Sequence, residues 1–100
     1  MDLADLWRGH QAAPFPYSCL KLAVSGTPLV RLDAEAGACL TASLRTDGIP
    51  RALPADRRAS LARSLELVRQ SLREVPLEAG ARAYFERLET FAVAVLAVRE

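Results

Sequence analysis

Apolar side chains recur along this chain with two different periods, and the change of period divides it into segments. Over residues 2–10, DLADLWRGH, Leu3, Leu6 and Trp7 fall at spacings of three and four. That spacing predicts a short helix with Asp2 as its cap. The following QAAPFPY ends it, because two Pro around Phe15 impose an extended path.

From Tyr17 to Thr46 the alternation reads as period two. Leu20, Leu22 and Val24 form one apolar row; Val30, Leu32 and Ala34 a second; Leu40, Ala42 and Leu44 a third. Half-buried strands have this pattern. Three-residue turns at Gly26-Thr27-Pro28 and Glu35-Ala36-Gly37 keep facing residues on a common face, with Gly at the left-handed position of the second. The register sets Leu22 against Leu32, Lys21 against Asp33, and Leu32 against Leu40. The expected result is a three-stranded antiparallel β-meander with 30–34 as its central strand.

TDGIPRALP, residues 46–54, reads as a loop built on the Asp47-Gly48 turn, with Pro50 and Pro54 excluding regular structure. Pro54 also suits the first turn of a helix. Leu61, Leu65, Val68, Leu72 and Val75 step by four and three, which predicts a helix over 54–74, stopped by Pro76. A second stripe runs Leu77, Ala81, Tyr84, Leu88, Phe91, Val95 and Val98. It predicts a helix that turns back antiparallel to the first. The terminal run FAVAVLAV alternates well enough for a strand. No turn residue separates it from the stripe before it, however, and its Ala residues favour helix.

The fold expected is therefore α+β. A short N-terminal helix and arm (1–16) precede the β-meander (17–46), and a helical hairpin (54–100) packs on one sheet face. One hundred residues make a single domain, 1–100. As a helix, 91–98 is apolar on every side, which requires cover all round. Phe91, Val93, Val95, Leu96 and Val98 are thus the candidate interface, and symmetric self-association is the simplest cover.

Composition changes this picture little. Apolar residues make up 51% of the chain and charged residues 25%, which is globular and not disordered. The net charge of +1 supplies no global attraction to nucleic acid or membrane. No apolar run approaches the ~20 residues that cross a bilayer, so no membrane partner is expected. The acidic start, MDLADLW, is unlike a secretory or mitochondrial leader. Twelve of the thirteen basic residues are Arg, a bias expected of GC-rich coding in a bacterial, cytoplasmic protein.

The charge is segregated. Residues 45–73 hold seven Arg against Asp47, Asp56 and Glu66. Arg57, Arg58 and Arg63 are candidate phosphate contacts, although no aromatic interleaves them for base stacking. The single His, His10, is expected to be a solvated surface residue. Cys19 and Cys39 are expected to be independent reduced thiols, two strands apart. Lys21 and Asp33 are expected to form a structural cross-strand pair. Trp7, Phe15 and Tyr17 cluster near the start and are candidates for a groove. No phosphate-binding loop, dinucleotide fingerprint or zinc-protease motif occurs, and neither a cofactor nor a metal is implied.

The function expected is a non-enzymatic protein-interaction module: a regulatory, adaptor or chaperone-like homodimer, or a binder of a small protein partner. The alternative is a nucleic-acid-binding protein that uses the Arg-rich helix 54–74. A small enzyme is a third class, and it would need a pocket around His10, Lys21 or Asp33.

Overall fold

A computed structural model describes residues 3–44 and 50–98. The described chain is mostly helical. Helix α1 spans Leu3–Ala12 and is followed by a single 3-10 turn over Tyr17–Cys19. Strands β1 (Ala23–Val24) and β2 (Thr27–Pro28) form a minimal hairpin. Three longer helices complete the order: α2 (Leu29–Ser43), α3 (Ala55–Glu74) and α4 (Ala79–Leu96). The Asp2 cap and the Asp47-Gly48 turn lie outside the described residues.

The three-stranded meander does not form, and its second and third strands are one helix. The buried residues of α2 are Leu29, Leu32, Ala36, Cys39, Leu40 and Ser43, a stripe with helical steps of three and four. Leu and Ala are so dense here that period two and period 3.6 both fit. Backbone preference decides between them. Residues 31–44 hold four Ala and three Leu but no Val or Ile, and residues unbranched at Cβ favour helix. Gly37, read as a turn, stands in mid-helix without a positive φ.

The expected first hairpin does not form either; a different, minimal one takes its place, built partly from residues expected in its loop. Ala23 pairs with Pro28 and Val24 with Thr27, which leaves a two-residue turn at Ser25-Gly26. Both turn residues have positive φ, 48° and 79°, as the tight hairpin turn requires. Gln70 on α3 donates to Ser25 Oγ at 2.8 Å and ties the turn to the helices. One further backbone bond, Leu29 N–H to the Leu22 carbonyl at 2.9 Å, extends the pairing before Pro28 hands the chain to α2.

The helical hairpin follows the sequence pattern closely. Pro54 stands at the start of α3 and Asp56 in its first turn, where a negative charge suits the helix dipole. Val75 takes extended geometry before Pro76, and α4 begins three residues later. Contacts along the pair run antiparallel. Arg82 donates to the Leu72 carbonyl at 3.0 Å, and Arg69 bridges Glu89 at 3.0 Å. At the far end, Arg58 donates to the carbonyls of Leu96 (2.8 Å) and Val98 (3.2 Å). The last carbonyls of a helix have no intrahelical partner, so Arg58 on α3 caps α4.

Helices α2, α3 and α4 pack on one another around a core of Leu29, Leu32, Leu40, Leu61, Val68, Phe85, Leu88 and Val95. Cys19 closes the hairpin side of this core, and α1 lies on α4. No helix among the described residues is long and apolar enough to cross a membrane.

Candidate cleft between helices α1, α2 and α4

Trp7 and His10 stand three residues apart on α1, so they share a face. Both are 4% exposed, and their rings stack with centroids 5.5 Å apart and planes 22° from parallel. Phe91 meets Trp7 edge-on at 5.3 Å. Tyr84 lies 4.4 Å from His10, and Phe15 meets Tyr84 edge-on at 5.7 Å. Aromatic packing of this kind fixes ring orientation as well as burying area.

Polar contacts tie the cluster to both neighbouring helices. Arg87 Nε–H on α4 donates to His10 Nδ1 at 3.2 Å, and its guanidinium lies 5.8 Å from the Tyr84 ring centre. The Tyr84 hydroxyl donates to Asp33 on α2 at 2.9 Å. Asp33, Gly37 and Thr41 recur at helical steps of four along α2. Together with Trp7, His10, Gln11, Ala34 and Tyr84 they line a cleft of about 280 Å³. A Cβ added at Gly37 would meet nothing within 4 Å, so this glycine leaves one wall of the cleft open.

Two consequences follow for the chemistry. Burial first, and the Arg87 charge second, lower the His10 pKa from 6.5 to about 4. The imidazole is therefore neutral near pH 7, and because Nδ1 accepts from Arg87 the proton resides on Nε2. His10 is thus a hydrogen-bond donor towards anything beyond Arg87, and not a free base. Secondly, His10 Nε2 and Trp7 Nε1 are both buried with no hydrogen-bond partner. An unmet buried donor costs about 1–3 kcal/mol. Two of them side by side are unusual in a folded core.

Asp33 supplies the opposite polarity. Burial raises its pKa, while the Tyr84 hydroxyl works against that rise. Burial and then the Asp33 charge and hydrogen bond hold the Tyr84 phenol well above its usual range. Next to the cleft, on the other side of α1, a largely apolar groove of about 400 Å³ runs between α1 and α4, lined by residues such as Leu3, Leu6 and Phe91.

The residues singled out in the sequence are distributed unevenly around this site. His10 is buried at its centre and not solvated, because the N-terminal helix is pressed onto α4. Asp33 is on a helix, so its partner is Tyr84 and not Lys21, which is exposed. Of the groove candidates, Trp7 lines the cleft, Phe15 packs on Tyr84, and Tyr17 is 86% exposed on the 3-10 turn. Cys19 and Cys39 are both buried free thiols, and Cys39 Sγ contacts the Arg57 carbonyl at 3.7 Å.

In the C-terminal segment, Phe91 and Val95 are enclosed by the chain's own core, Leu96 and Val98 are half-buried, and Val93 remains 44% exposed. Arg57 and Arg63 are exposed, whereas Arg58 is engaged at the end of α4. Sequence reasoning did not find Gly37, Thr41 or the polar role of Tyr84. The three-residue spacing of Trp7 and His10 was the available signal for their pairing, but the sequence reading placed His10 in solvent. Comparison of the chain with protein-family models, curated proteins and solved structures gives no match.

Proposed function

We propose that the protein is a non-enzymatic binding module whose working surface is the cleft between α1, α2 and α4. One observation carries this reading: a partly open cleft has two buried, unpartnered N–H donors in its Trp7 and His10 walls and a carboxylate, Asp33, opposite them in chemical character. Convergent polar groups in an otherwise aromatic and aliphatic hollow are what ligand sites have in common. The donor state of His10 favours binding over catalysis, since Arg87 occupies the nitrogen that would take a proton. A cytoplasmic location belongs to the same proposal.

A fragment screen read by thermal shift tests it, run in parallel on Gly37→Phe, whose side chain fills the cleft from α2. Ligands of the cleft raise the melting temperature of the wild type and not of the variant. Fragments that stabilise both proteins equally would remove the cleft as the binding surface.

Self-association through the C-terminal helix keeps one supporting observation, the exposed Val93 beside half-buried Leu96 and Val98. Sedimentation at micromolar concentration decides it, and a clean monomer ends that reading. Nucleic-acid binding by α3 has less in its favour, because Arg58 is engaged within the fold and only Arg57 and Arg63 of the three candidates are exposed.

A further inference from the structure

The polarity of the cleft walls specifies more than the presence of a ligand. Trp7 and His10 each offer an N–H that nothing in the protein accepts. These two walls therefore call for an acceptor, such as a carbonyl oxygen. Asp33 already accepts the Tyr84 hydroxyl through one oxygen, and a carboxylate has further lone pairs to give. This wall calls for a donor. An anion would face the Asp33 carboxylate, and a bare cation would leave both N–H groups unmet and would stand near the Arg87 guanidinium that caps Tyr84. Asp33 and Arg87 balance each other in charge, so a neutral ligand fits best.

Size narrows the choice. A volume of about 280 Å³ equals roughly nine waters at about 30 Å³ each, which admits a substituted five- or six-membered ring and excludes a nucleotide or a folded peptide. The surrounding rings of Trp7 and Tyr84 offer flat apolar faces to such a ring.

Resting on the cleft reading above, we infer that the ligand is a small neutral cyclic amide, of the lactam or ureide class. Its carbonyl faces the Trp7 and His10 donors, and its N–H faces Asp33. Both donors are buried in the free protein, so binding of the carbonyl requires the Trp7 and His10 wall to open. The penalty for leaving those donors unmet is relieved on binding.

Four rings of similar size test the assignment: 2-piperidone, cyclohexanone, piperidine and cyclohexanecarboxylate. Each is titrated at millimolar concentration into the intact chain and followed by proton–nitrogen correlation spectra. Trp7 is the only Trp, so one indole N–H resonance reports on the donor directly. The expected result is a saturable downfield shift of that resonance with 2-piperidone, which binds roughly threefold or more tighter than the other three. Asp33→Ala should erase its advantage over cyclohexanone, the ring that keeps the acceptor and lacks the donor. If piperidine or cyclohexanecarboxylate binds as well or better, and Gly37→Phe abolishes that binding, the cleft reading stands and the amide assignment falls. Shifts that persist in Gly37→Phe, or no response to any ring, overturn both.

Discussion

His10 should make the protein lose stability on mild acidification, and the size of the loss follows from its burial. Its pKa is about 4 in the folded chain, against 6.5 for an unperturbed imidazole. The unfolded chain therefore takes up a proton that the folded chain refuses. Stability is fully present above pH 6.5, falls as the pH drops through the interval, and levels off below about 4. A difference of 2.5 units at 1.36 kcal/mol each gives a total near 3 kcal/mol. About 2 kcal/mol of this is lost between pH 7 and pH 5, before most carboxylates titrate. For a domain of this size that lowers the melting temperature by roughly 10 °C. Asp33 acts with the opposite sign. Its raised pKa means that the folded state gains a proton first, so its contribution grows as the pH falls through the folded pKa. The assay is urea denaturation at pH 7 and pH 5 on the wild type and on His10→Gln, which keeps a polar side chain and removes the titration. The wild type should lose about 2 kcal/mol more than the variant. Equal losses would refute the reasoning, because they would mean that the imidazole accepts its proton as readily in the folded chain as in the unfolded one.

Three further outcomes are expected. Tyr84→Phe removes the hydroxyl that serves the half-buried Asp33 carboxylate and should cost about 1 kcal/mol at pH 7 in denaturation experiments; the cost should shrink in acid as Asp33 protonates. Arg58→Met strips the cap from the α4 carboxyl end and should cost about 1–3 kcal/mol with faster amide exchange at Ala97 and Val98, whereas Arg57→Met should change stability by under about 0.5 kcal/mol. Gly37→Ala meets no steric obstacle and restores a better helix former, so thermal melts should show a gain of about 0.5–1 kcal/mol.

The helical hairpin was legible in the sequence because its punctuation is covalent. Pro54 and Pro76 bound α3, and the stripes of Leu61–Val75 and Leu77–Val98 have a single period. The stretch 29–43 was not legible by periodicity. Where Leu and Ala occupy most positions, alternate residues and every third or fourth residue are apolar together. The tie had to be broken by residue shape, and the scarcity of β-branched side chains after Val30, with Thr41 alone among residues 31–44, was the usable sign. Half of the cleft followed the same division. Trp7 and His10 share a face by local spacing. Asp33 and Tyr84 are 51 residues apart and meet only because residue 33 is on a helix and not a central strand. The surplus of apolar surface inferred for 91–98 also rested on the missing helix, since α2 supplies part of the core that encloses α4.

The stacking of Trp7 on His10 has an optical consequence. An imidazolium ion quenches the emission of an indole in contact with it, and a neutral imidazole does so far less. The single tryptophan of this chain is thus in contact with the one histidine, and its brightness doubles as a gauge of that histidine's charge. Folded protein should glow undimmed well into the acid range in which a free histidine–tryptophan pair has already darkened.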